Sequence, residues 1–141
     1  MNPMPGNALG QYRAVTAYGA ANGDRLQLVL RMMEGTLDRI VTARGHMARR
    51  EVAAKGEAIG KAIGLIDGLR TSLDKDRGGQ IAANLEALYD YMMRCLVEAN
   101  LKDDERRLDE VAGLMDEIRS GWEVVSRGQD ATASAAQGAG A

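Results

Sequence analysis

GGQIAANLEALYDYMMRCLVEANLKDDERRLDEVAGLMDEIRSGW, residues 78–122, decides the fold. Ile81, Leu85, Leu88, Tyr89, Met92, Leu96 and Ala99 recur at steps of three and four, which gathers them on one face of a helix. Leu108, Val111, Met115, Ile118, Trp122 and Val125 repeat the pattern further on. Between the two runs lies Asn100-Leu101-Lys102-Asp103-Asp104. Asn100 is predicted to end the first helix in a left-handed conformation. Asp103 or Asp104 is predicted to accept the free N–H groups of the next helix, with Glu105 adding favourable charge to its first turn. Helices joined by so short a loop are antiparallel neighbours.

Two more helices precede this pair. Asn22-Gly23-Asp24 is a helix start signal, and the face Leu26, Val29, Leu30, Met33, Leu37, Ile40, Val41 and Met47 predicts a helix over Asp24–Arg50. The phase is lost at Arg49-Arg50-Glu51, where a break is expected. Ile59, Ala62, Ile63, Ile66, Leu69 and Leu73 mark the next helix, Val52–Leu73, and Asp74–Gly79 reads as a turn closed by two glycines. No strand pattern and no fixed-period repeat is visible. The expected fold is all-α, an antiparallel four-helix bundle over residues 23–127 with a short N-terminal capping segment. Residues 1–22 read as a mobile leader. Residues 128–141, rich in Gly, Ala, Ser, Thr and Gln, read as a disordered tail.

Composition narrows the function. An apolar fraction of 45% supplies a core, but no run approaches the ~18 residues of a membrane span, so no membrane insertion is expected. The net charge of −2 argues against nucleic-acid binding. The N-terminus carries no secretory signal pattern and the single Cys95 forms no internal disulfide, which together point to a reducing, cytoplasmic setting. Cys95 and His46 are the full stock of soft metal ligands, too few for a zinc site, and no Glu-x-x-His pair of the di-iron kind exists. Gly78-Gly79 lacks the Lys-Ser/Thr of a phosphate loop. The expectation is a protein with no catalytic residues, metal or cofactor, and Cys95 and His46 read as a packing residue and a surface residue near a helix end.

Three features exceed what a plain bundle needs. Gly56, Gly60, Gly64 and Gly68 recur every four residues on the side of the second helix away from Ile59 and Ile66. Each costs roughly 0.8–1 kcal/mol against Ala in a helix interior. Either this row is a smooth face that lets a partner helix approach, or it is a tolerated run in a flexible helix. Asn84, Leu88, Tyr91 and Cys95 form a second row on the third helix, and Leu114 and Ile118 widen the apolar face of the fourth. These rows suit a bound helix or extended segment, or an ordinary wide core face. Tyr12, Val15 and Tyr18 are apolar anchors in a leader of small residues; they fit a flap over a groove, or no fixed position at all. The partner-binding candidates are therefore Tyr12, Val15, Gly60, Gly64, Gly68, Asn84, Leu88, Tyr91, Leu114 and Ile118.

Leu88-Tyr89-Asp90-Tyr91-Met92, Leu96-Val97-Glu98-Ala99-Asn100, the Asp-rich turn, Leu108-Asp109-Glu110-Val111 and Trp122 resemble the flagellin export chaperone family (FliS). Lys61-Ala62, Ser72-Leu73-Asp74 and Gly78-Gly79 stand where that family places the same residues, so the resemblance covers about 56–122. It implies a cytoplasmic helical bundle that binds the disordered C-terminal segment of flagellin, keeps it from polymerising and helps deliver it to the flagellar export apparatus. It also implies that Tyr12 covers part of the groove. The alternative is a non-enzymatic helical module that self-associates, as a homodimer, or binds another protein through the same faces.

Overall fold

A computed structural model describes residues 23–140, with side chains from 25 onward and to 128 except at 126. Four helices follow one another: α1 (Gly23–Ala48), α2 (Val52–Thr71), α3 (Lys75–Lys102) and α4 (Glu105–Gly140). Each packs beside its neighbour in sequence, and α1 also packs beside α4, so the four close into a ring. Short connections force alternate directions. Met33, Ile66, Tyr89, Met92, Leu96, Leu108, Val111 and Met115 fill the centre, each at most 2% exposed. The expected all-α bundle is the observed one. Among the described residues every regular element is a helix.

The breaks follow local chemistry. At the end of α1, the Glu51 N–H donates to the His46 carbonyl at 2.9 Å and the Arg50 N–H to that of Met47 at 3.1 Å. This paired closure needs a left-handed residue, and Arg50 takes that conformation at φ 59° where glycine is usual. His46 Nδ1 lies 2.7 Å from the Glu51 carboxylate, so the lone histidine clips the turn. Asp74 opens α3 by accepting the Arg77 N–H at 3.1 Å. The helix thus starts ahead of the two glycines, and the expected break survives as a kink at Gly79, φ 52° and ψ −126°.

The α3–α4 turn also differs from the expectation. Helix α3 runs through Asn100 to Lys102, and the left-handed residue is Asp103 at φ 50°, whose N–H donates to the Ala99 carbonyl. The reason lies 48 residues away. Lys55 of α2 is only 3% exposed, and its ammonium donates to the Asn100 carbonyl at 2.9 Å and to the Asp103 carboxylate. A cation there satisfies one of the last carbonyls of α3 and counters the negative end of its dipole. Asp104 then caps α4 by accepting the Arg106 N–H at 3.0 Å.

Two other expectations change. Val41 is 70% exposed; the α1 stripe is completed by Thr36 and Ala43, both 0% exposed, with the Thr36 hydroxyl donating to the Met32 carbonyl at 2.8 Å. Helix α4 keeps helical backbone to Gly140, past the point where disorder was expected. Alanine there has high helix propensity and no proline intervenes. Arg44 ties α1 to the start of α4 through Glu105 and Asp109, both at 2.6 Å.

Candidate partner-binding surfaces

Helix α3 separates two surfaces. Its core face, Leu85, Met92 and Leu96, is buried. At about 100° per residue, Asn84, Leu88, Tyr91 and Cys95 fall on one flank and Asp90, Met93, Val97 and Asn100 on the other. The contacts say which neighbour each flank meets.

The first flank meets α4. The Tyr91 hydroxyl donates to the Glu110 carboxylate. Arg107 Nη1 donates to Glu110 at 2.9 Å and to the Tyr91 oxygen at 3.3 Å, and lies 3.9 Å from Cys95 Sγ. With 91 level with 110 and the helices antiparallel, Leu88 comes level with Leu114 and Asn84 with Ile118. Arg107, Glu110, Leu114 and Ile118 recur at steps of three and four, so they share the flank of α4 that faces α3. Leu88, Leu114 and Ile118 are half-buried and pack on the core. The Asn84 side-chain oxygen accepts from Gln80 at 2.9 Å. The structure thus brings five of the candidates, Asn84, Leu88, Tyr91, Leu114 and Ile118, to one seam.

Charge in this seam is tightly arranged. Hydrogen bonding to Glu110, reinforced by Cys95, pushes the Tyr91 phenol up to about 12. The same Tyr91 hydrogen bond, with Arg107, holds the Glu110 carboxyl below its usual range. Neutral tyrosine and ionised glutamate are the forms that the geometry favours.

The second flank meets α2. Arg70 pairs with Asp90 at 3.3 Å, and a Cβ on Gly56 would stand 3.8 Å from the Asn100 side chain. This register sets Gly60 level with Val97 and Gly64 level with Met93. Gly60 and Gly64 are exposed, and a Cβ on either would meet nothing within 4 Å. On the neighbouring helix α3, Val97 is 49% and Leu101 78% exposed. With Met93 and the stems of Arg94, Glu98 and Lys102 they line a shallow cavity of about 350 Å³. All six of these residues belong to α3, and Gly60 and Gly64 stand exposed on the adjacent helix α2.

Gly68 does not join them. It turns toward α1, where a Cβ would stand 2.6 Å from Met32 Cε. Tyr12 and Val15 lie outside the described residues. Sequence reasoning missed Val97 and Leu101, although Met93, Val97 and Leu101 stand at steps of four, off the core stripe.

A larger cavity, about 580 Å³, opens where the α1–α2 and α3–α4 loops meet. Arg44, Arg50 and Lys55 face Glu51, Asp103 and Glu105 around it, so it selects no sign of charge. No group of three His, Cys, Asp or Glu that could hold a metal occurs among the described residues. No helix among them is long and apolar enough to cross a membrane.

The fold defines the class, an all-α bundle of four helices with exposed apolar side chains on the outer side of α3. The chain is a member of the FliS family of flagellar secretion chaperones. The family profile, Flagellar protein FliS, matches residues 7–129. The chain is 45% identical over 120 residues to the flagellar secretion chaperone FliSB of Pseudomonas aeruginosa, covering 84% of this chain and 95% of that protein. It is 45% identical over 101 residues to the flagellar secretion chaperone FliS of Salmonella typhimurium, covering 71% and 75%. It is also 34% identical over 96 residues to that of Bacillus subtilis, covering 68% and 71%. The match extends well upstream of the region that carried the sequence resemblance.

Proposed function

We propose that this protein is a cytoplasmic, non-enzymatic chaperone that binds the disordered C-terminal segment of flagellin, keeps it from polymerising and delivers it to the flagellar export apparatus. The observation that carries this reading is the outer face of α2 and α3: Val97 and Leu101 stand exposed on α3, and Gly60 and Gly64 expose bare backbone on α2, which leaves room for an incoming helix. Covering two such side chains is worth about 3 kcal/mol, roughly a hundredfold in affinity. The α3–α4 seam lies on the other flank, so a segment using both must wrap around the bundle. A disordered chain suits that path, because it orders on the surface as it binds.

Calorimetry with a synthetic C-terminal flagellin segment tests this. Binding should show a negative heat-capacity change from apolar burial and an unfavourable entropy of ordering. A binding enthalpy that does not vary with temperature argues against an apolar groove. Absence of binding, with self-association in sedimentation, favours a module that pairs with its own copy.

A further inference from the structure

The α3–α4 contact is built unlike the α1–α2 contact. Helices α1 and α2 approach closely at glycines: a Cβ on Gly35 would stand 3.3 Å from Leu65 Cδ1, and one on Gly68 closer still to Met32. Between α3 and α4, polar groups meet instead. Tyr91 donates to Glu110, and Arg107 donates to both and lies 3.6 Å from Glu98. One end of the seam is thus tied by charge-assisted hydrogen bonds, while Leu88, Leu114 and Ile118 beyond it are only half-buried. Cys95 sits behind the tie, 3% exposed.

We propose that the Tyr91–Glu110–Arg107 cluster is a clasp that keeps the α3–α4 seam shut in the free protein, and that its release admits a partner segment beside Leu88, Leu114 and Ile118. The identity of the entering segment rests on the function proposed above; the clasp itself does not. Half-buried polar groups exchange their partners for water at small net cost, so the tie is strong enough to set a closed state and weak enough to open. Apolar side chains in the seam gain burial once a segment covers them. Opening α3 from α4 also uncovers Cys95, which makes the single thiol a native reporter of the motion.

The test is the labelling rate of Cys95 by a chromogenic disulfide in the folded, full-length protein, normalised to the rate in the unfolded chain. Tyr91→Phe keeps the ring and leaves Glu110 paired with Arg107, so it removes one hydrogen bond without stranding a charge. It should accelerate labelling about fivefold, the equivalent of one net hydrogen bond. Ile66→Val loosens the α2 core, away from the clasp, and should leave labelling unchanged while lowering global stability. Wild-type labelling in Tyr91→Phe overturns the clasp. Equal acceleration in both variants also overturns it, because the thiol is then reached by unfolding of the whole bundle. In a second arm, Tyr91→Phe should associate about fivefold faster with the synthetic C-terminal flagellin segment, and an unchanged association rate refutes the clasp as a gate. A segment that binds neither protein overturns the functional reading instead, and the labelling rates still decide the clasp.

Discussion

Met32 of α1 occupies the space that a side chain at Gly68 of α2 would need, with its Cε 2.6 Å from the position of a Cβ there. Four glycines at one spacing thus meet different surroundings. Gly60→Ala and Gly64→Ala add a methyl group in open space and should each raise stability by about 1 kcal/mol through helix propensity. Gly68→Ala has the same propensity gain but must swing Met32 aside, so its net effect should be near zero. Urea denaturation of the three variants checks the order. Equal gains at all three sites would contradict the α1–α2 crossing.

Arg50 closes α1 in a left-handed conformation that costs a non-glycine residue about 1 kcal/mol. Arg50→Gly removes that cost while the paired hydrogen bonds of the turn remain. Thermal melting should rise by about 4 °C. A fall in melting temperature would mean that the Arg50 side chain contributes more than its backbone strain removes.

Tyr91 should titrate late. The absorbance difference between wild type and Tyr91→Phe isolates this phenol from Tyr12, Tyr18 and Tyr89. It should ionise near pH 12 rather than at the ordinary value of about 10. Because the folded value is raised, the stabilisation is fully present below about pH 10 and is lost as pH rises through 12. Glu110 works in the opposite sense: its folded value is depressed, so its contribution holds above the ordinary carboxylate range and is lost in acid. A difference titration centred on the ordinary tyrosine value would show that the Tyr91–Glu110 bond does not persist in solution.

The helices were legible because each buries one stripe, and apolar spacing reports a stripe directly. Met33, Ile66, Met92 and Met115 were all readable in this way. Flanks were harder. Gly60 and Gly68 lie about 80° apart on one helix, and periodicity does not say on which side α1 packs, so the open glycines and the occupied one looked alike. The end of α3 was misplaced at Asn100 because its cap depends on Lys55, a contact made only once the chain has folded. Val97 and Leu101 were passed over because an apolar residue off the core stripe is common on any surface; the fold shows that the two line one shallow cavity on α3. The Asn84-Leu88-Tyr91 row was readable, whereas its pairing with Glu110 and Arg107 required the helix register.

The most direct measurement is made on Gly64→Leu: its melting temperature alone, and its affinity for the C-terminal flagellin segment. Gly64 is exposed with nothing within 4 Å of an added Cβ, so the bundle should fold. Leucine, the better helix former, should leave the melting temperature unchanged or raised, by up to about 0.8 kcal/mol in stability. Its bulk stands where an incoming helix must approach, level with Met93 and one turn from Val97, so affinity should fall by about tenfold or more, at least 1.4 kcal/mol. A folded Gly64→Leu protein that binds the segment as tightly as wild type would contradict the exposed α2–α3 face as the binding surface.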